Sequence, residues 1–204
     1  DGSWETYDGN MRFCDAAGAT VAEVDPARYR EFIAEKAESW SYIKSTYYRP
    51  LGIAAGVYRV GPLARLNVCE RMGVPKADVE LKLFKKLGRG AVTSSFLYHY
   101  ARLIEILASI EYVERYMDDG EIMSEYLRAD AGINSLRGVG ASEAPRGTLF
   151  HDYTVGRDGL LRKVNLIVAT GQNNLAMNQT VAQIARHYVH GDQIAEPMLN
   201  RIEH

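Results

Sequence analysis

The run Ser142-Glu143-Ala144-Pro145-Arg146-Gly147 constrains the fold of this chain more than any other. Proline fixes the backbone before Arg146 and glycine frees it afterwards, so the run reads as a rigid turn leading into a strand. Residues 148–155 and 160–169 are β-rich and flank Gly156-Arg157-Asp158-Gly159, a four-residue hairpin signal. The second segment runs into Leu166-Ile167-Val168-Ala169-Thr170-Gly171-Gln172-Asn173-Asn174, an apolar strand ending in small and amide residues. Turn and strand end together can aim the Arg146 guanidinium and the Thr170 hydroxyl at one point.

The bulk numbers bound what that point can be. At 204 residues the chain suffices for one large domain or two small ones. Its net charge of -2 gives no electrostatic case for nucleic acid or an anionic membrane. No apolar run approaches the roughly 20 residues that span a bilayer. The start, Asp1-Gly2-Ser3-Trp4-Glu5, has neither the basic opening nor the apolar stretch of a signal peptide, and reads as a cut or processed end. Cys14 and Cys69 stand far apart with no CxxC pair, which suggests free thiols in a reducing compartment. Thirteen tyrosines against five phenylalanines suggest buried rings whose hydroxyls find polar partners.

Elsewhere the pattern is mainly helical. A small hairpin is expected from Met11–Cys14 and Thr20–Val24. Asp25-Pro26 signals a helix start, with Tyr29, Phe32, Ile33 and Trp40 at helical spacing. Residues 41–68 read as irregular, aromatic and Gly/Pro-punctuated. A helix is expected over 75–87, opened by Pro75 and closed by Gly88. Ser94 or Ser95 caps the strongest helix, which runs to about Met117 with Leu103, Ile104, Leu107, Ile110 and Val113 on its apolar repeat. Residues 133–147 read as a Gly-rich loop. Asn173 or Asn174 caps a helix near 175–189, and another starts at Glu196-Pro197. The expected class is mainly α with a small antiparallel β-sheet.

Few residues carry a chemical signature. Arg102 and Glu105 are three apart on the long helix, and a surface or interface ion pair is the plain reading. His187 and His190 lack a third ligand at helical spacing, so zinc is disfavoured against a helix-end role. Gly138-Val139-Gly140 lacks both the strand and the third glycine of a dinucleotide fingerprint. Arg146 stands evenly between a site role and a structural tie to Glu143 or Asp152. Thr170 could equally be a strand threonine bonding the backbone.

Together, Glu143–Gly147, the hairpin and Asn165–Asn174 resemble the large, catalytic subunit of nickel–iron hydrogenases. Tyr42-Ile43-Lys44, Tyr58–Asn67 and Ser94–Glu105 fit the same pattern, so the resemblance covers nearly the whole chain. The best fit is the cytoplasmic, NAD-linked bidirectional group. The resemblance implies a mainly helical, hydrogenase-like fold with small sheets. It also implies a nickel–iron centre with cyanide and carbon monoxide on the iron, and reversible heterolytic splitting of dihydrogen. Implied partners are a small subunit with an iron–sulfur cluster and diaphorase subunits binding NAD and flavin. Arg146 matches the arginine over the open edge of the centre. Thr170 matches the position whose hydroxyl and N–H hold a cyanide. Pro145 and Ala169 match the pocket wall, where many members have proline in place of Ala169. The backbone carbonyl of Leu166 matches a ligand of a magnesium-type ion. The family binds its metals through two CxxC pairs. Neither pair is in this sequence, and Cys14 and Cys69 match neither. Residues 1–204 are thus expected to be one interior segment from the C-terminal half of a longer subunit, ending shortly before the last metal ligands. The competing reading is a metal-free scaffold like the quinone-pocket subunit of respiratory complex I, which shares a similar Pro-Arg/Lys-Gly turn. A cyanide-holding hydroxyl at Thr170 has no purpose there.

Overall fold

The computed structural model describes residues 2–128, 135–191 and 194–203; side chains are described only to residue 200. In chain order the elements are β1 (Met11–Cys14), β2 (Thr20–Val24), β3 (Ile33–Glu38), β4 (Ser41–Tyr48), α1 (Gly52–Ala55), α2 (Pro62–Val68), α3 (Pro75–Lys85) and α4 (Tyr98–Met117). They continue with β5 (Arg137–Ala144), β6 (Gly147–Val155), β7 (Leu161–Ile167), α5 (Ala169–Tyr188) and α6 (Glu196–Glu203). Among the described residues, helices thus mix with three small antiparallel sheets, β1–β2, β3–β4 and β5–β6–β7. The chain divides into two compact units, one of residues 1–29 and 60–167, the other of 30–59 and 168–204.

In the first unit, α2, α3 and α4 enclose a core around Leu66, Met72, Leu81, Phe84 and Ile104. The face that α4 buries is not its most apolar one. Ala101, Ile104, Glu105, Ala108 and Glu111 point inward, whereas Leu103, Ile110 and Val113 of the expected stripe are exposed. Small alanines let the helices approach closely, and the two glutamates find partners. Glu111 accepts hydrogen bonds from the N–H groups of Lys76 (3.1 Å) and Ala77 (2.9 Å). That caps α3, whose own cap residue Val74 has no side chain to offer. A second cluster forms on β6, where Tyr29 stacks on Phe150 at 5.0 Å. Its hydroxyl donates to buried Asp152 (3.0 Å), which also binds Arg137.

In the second unit, α5 packs on β4. The Thr46 hydroxyl reaches the Gly171 carbonyl (3.4 Å), and Tyr58 donates to Gln172, which is 1% exposed (2.9 Å). Burial pushes the Tyr58 phenol well above its ordinary range, so it stays a donor. Tyr98, Tyr100 and Tyr112 likewise bond polar partners, as the tyrosine-rich composition suggested.

Several local expectations give way to pairing. Asp25-Pro26 opens only a short 3₁₀ turn, Pro26–Glu31, because Ile33–Glu38 pairs with Ser41–Tyr48 as a hairpin. That same pairing orders the first part of the segment read as irregular, and α1 and α2 order most of the rest. The expected Gly-rich loop begins at residues 133–134, outside the described residues; from Arg137 it is a strand paired with β6. The final long helix starts at Ala169 rather than near 175, with Val168 at the cap and no capping by Asn173 or Asn174. The long helix α4 is entered through a 3₁₀ turn at Ser95–Leu97, and the side chain of Ser94 makes no cap bond.

Candidate active site

Pro145 and Arg146 form the two-residue turn between β5 and β6, with Ala144 paired to Gly147 across it. Among the described residues none other than glycine has a positive φ, so the turn is neither of the primed types nor type II; Gly147 (φ 136°) returns the chain to the strand. The turn is seated on the segment before α2. A Cβ on Gly61 would come within 2.8 Å of the Arg146 carbonyl, and one on Gly147 would meet Val60 and the Gly61 nitrogen. Only glycine allows this approach at either position.

Arg65 holds the turn from inside. It is a buried arginine on α2, with a side chain 9% exposed. Nε and Nη2 donate to Glu105 of α4 (2.6 and 2.7 Å). Nη1 donates to Glu143 Oε2 (2.6 Å) and the Ala144 carbonyl (2.9 Å), and Nη2 also reaches the Pro145 carbonyl (3.4 Å). Burial alone would lower its pKa, but the hydrogen bonds and charges of Glu105 and Glu143 outweigh this and raise it. Trp4 donates to the same Glu105 oxygen (3.0 Å), and Thr148 donates to the other Glu143 oxygen. Removing one partner of such a buried pair typically costs about 3–5 kcal/mol, because a charge is stranded.

This network bears on the structural alternative for Arg146. Glu143 is taken by Arg65 and Thr148, and Asp152 by Arg137 and Tyr29, so neither ties Arg146 down. Arg146 is exposed and, among the described residues, its guanidinium has no hydrogen-bond or ionic partner. The expected Arg102–Glu105 pair does not form either. Arg102 donates to the Pro145 carbonyl (3.2 Å), adding a second grip on the turn.

Ala169 and Thr170 lie in the other unit, in the first turn of α5. Thr170 is therefore not a strand residue, and among the described residues its hydroxyl bonds no backbone group. The N–H groups of a first helical turn have no partner within the helix and carry the positive end of its dipole. Here they stand beside the exposed Thr170 hydroxyl and buried Ala169. Leu166 sits on β7, an edge strand of its sheet, opposite His151.

Metal ligands are a separate matter. Among the described residues no group of three or more His, Cys, Asp or Glu side chains could hold a metal ion. Cys14 and Cys69 are free thiols, and burial, with the Glu105 charge, drives Cys69 up to about 12. Arg146 in one unit and the N-terminus of α5 in the other each present donors, and such donors fit small anionic acceptors rather than a metal itself.

Over 209 aligned residues, all of this chain is 41% identical to part of an F420-non-reducing hydrogenase of Methanothermobacter thermautotrophicus. Its homologues are hydrogenase subunits. All of the chain also aligns, at 38% identity, with NAD-reducing hydrogenase HoxS subunit beta of Cupriavidus necator. A crystal structure of an NAD+-reducing [NiFe]-hydrogenase superposes on 98% of the chain with a TM-score of 0.90 and 41% identity. The Ni-Fe-Se hydrogenase of D. vulgaris Hildenborough shares the fold over 74% of the chain, with a TM-score of 0.55. No protein-family model matches. The chain spans 43% of the first relative, 42% of the second and 45% of the first superposed chain, so less than half of each hydrogenase subunit is represented. These are all hydrogenase chains, and the quinone-scaffold alternative draws no support from them. No helix among the described residues is long and apolar enough to cross a membrane.

Arg65 escaped the sequence reading as a site residue, and Glu105 was there the partner of Arg102 rather than of the turn's anchor. The available signal was an arginine and a glutamate among apolar helical neighbours, where a charge needs a partner.

Proposed function

We propose that the chain is part of the catalytic subunit of a nickel–iron hydrogenase of the NAD-reducing type. In this reading it contributes to reversible heterolytic splitting of dihydrogen, with electrons leaving through iron–sulfur clusters to NAD. The observation that carries it is agreement over 98% of the chain, at a TM-score of 0.90 and 41% identity, with the NAD+-reducing enzyme. The unpartnered guanidinium on a firmly held turn is the local feature that fits. When bound, the nickel–iron centre, with its cyanide and carbon monoxide ligands, supplies the place where dihydrogen is split. This chain's part is donors. Arg146 would present N–H groups to the charge that develops, and its neutral form, having first released a proton to solvent, would accept the separating proton at Nη. A guanidinium resists losing its proton, so donor stabilisation is the larger of the two roles. Thr170 and the first-turn N–H groups of α5 hold a cyanide, while Pro145 and Ala169 wall the pocket and keep water out. The thiolates that bind the metals belong to parts of the subunit outside these 204 residues.

The proposed partners are a small subunit carrying an iron–sulfur cluster and diaphorase subunits binding NAD and flavin, with the assembly in the cytoplasm. Leu166 is proposed to offer its carbonyl to a magnesium-type ion, and a complete subunit free of such an ion on metal analysis would remove that assignment. The deciding experiment is Arg146→Lys in the complete enzyme. Dihydrogen turnover should fall about a hundredfold or more, within the range general acid–base groups supply, with nickel and iron retained. Undiminished turnover would take Arg146 out of the reaction. A second reading of the acceptor rests on the equally similar F420-non-reducing enzyme. Purified complex that reduces another carrier but not NAD would favour it.

A further inference from the structure

We infer that Arg65 is a positioning residue for Arg146, the part of the fold that fixes where the Arg146 guanidinium points. The inference rests on the proposed role of Arg146. A guanidinium has five N–H donors in a rigid fork. Those of Arg65 serve five acceptors: both Glu105 oxygens, Glu143 Oε2 and the carbonyls of Ala144 and Pro145. The last two are the backbone groups immediately before Arg146. The Pro145 carbonyl belongs to the peptide that carries the Arg146 nitrogen, so binding it fixes the plane of that peptide. Arg102 holds the same oxygen from α4 (3.2 Å), and Gly61 lies against the Arg146 carbonyl on the other side. Both peptides flanking Arg146 are thus pinned while its own side chain is bound by nothing described. The ring of Pro145 fixes its own φ, but without these bonds the exposed peptides on either side of Arg146 would still be free to rotate.

A buried arginine between two carboxylates could serve stability alone. Two features argue for more. Glu105 takes only Nε and one Nη2 donor, and of the three donors that remain one goes to Glu143 and two go to the turn backbone. The second cation, Arg102, is only half-buried, and it too spends its bond on Pro145 rather than on nearby Glu105. Lysine at position 65 would keep the charge but cannot serve both carboxylates and both carbonyls, having three donors on one atom.

The test uses the complete, metal-loaded complex with Arg65→Lys, Arg146→Lys and the double variant. Melting temperature, metal content and the infrared bands of the cyanide and carbon monoxide ligands are read beside turnover. Arg65→Lys should lower kcat roughly ten- to a hundredfold, the scale of displacing a reacting group by an ångström, with KM for dihydrogen nearly unchanged. The cyanide bands should shift or broaden while metal content stays full. In the Arg146→Lys background the same change should alter kcat by less than about twofold, because it acts through a group already gone. An equal fold loss in both backgrounds, or unmoved bands with undiminished kcat, would overturn the inference. Full turnover in Arg146→Lys alone would instead overturn the role of Arg146. Should Arg65→Lys fail to assemble, Arg102→Gln at the half-buried second grip carries the test. A smaller loss that vanishes in the Arg146→Lys background supports positioning, and a loss that persists there overturns it.

Discussion

Glu111 offers a quantitative check on how the first unit is held together. Its carboxylate, on a residue only 7% exposed, reaches from α4 to the start of α3, where Pro75 occupies the first helical position and Val74 provides no side-chain cap. It accepts from Lys76 N (3.1 Å) and Ala77 N (2.9 Å). Lys76 is exposed, so water replaces the lost acceptor there at little cost. Ala77 is 0% exposed and its N–H would be stranded. A stranded buried donor costs about 1–3 kcal/mol and loss of a charge at a helix N-terminus about 0.3–1 more. With the lost packing of the side chain, Glu111→Ala should destabilise α3 by about 2–4 kcal/mol. Hydrogen exchange reads this locally. The Ala77 amide should exchange roughly thirty- to several-hundredfold faster, at about 1.4 kcal/mol per decade. Glu111→Gln keeps one acceptor oxygen and should lose about half as much. The decisive control is Glu111→Met, which restores the buried volume without an acceptor. If Met behaves like the native residue, packing rather than capping explains the position and the reasoning fails.

Other consequences can be checked in the same material. Gly147→Ala forces a side chain into a left-handed conformation and onto Val60 and the Gly61 backbone, so it should cost about 1–3 kcal/mol in backbone strain before the collision is counted; an unchanged melting temperature in the assembled subunit would refute it. Cys69, raised from 9.0 to about 12, should be nearly inert to alkylation at pH 8, where roughly one molecule in ten thousand carries the thiolate. Because its folded-state value lies above the unfolded one, its contribution to stability is intact below pH 9 and is lost as pH climbs towards 12. A Cys69→Ala variant whose stability falls just as steeply over that window would show that other groups are responsible. The 204 residues alone should bind no stoichiometric nickel, since no described cluster supplies three ligands; one tightly held nickel per chain would contradict this.

The sequence by itself determined the elements whose signals are local. The hairpin about Gly156–Gly159, the helix opened by Pro75, the long helix ending at Asp118-Asp119 and the Pro145-Arg146 turn were all legible. Each depends on residues within a few positions of one another, where turn chemistry and helix caps act. The kinship was legible for the same reason, since it rides on short contiguous runs. Only the tertiary structure decided which partners the long-range groups would take. The helical spacing of Tyr29, Phe32 and Ile33 yielded to pairing of Ile33 with Tyr48, because a strand's hydrogen bonds are made with a distant segment. Thr170 is a helix residue, in a first turn whose neighbours Gly171 and Gln172 are bonded by Thr46 and Tyr58 from far along the chain. Glu105 chose Arg65, forty residues away, over Arg102 on its own helix. A buried fork with two facing oxygens binds more strongly than a half-buried neighbour three residues along. That choice left Arg102 to grip the turn and left Arg146 with nothing to hold.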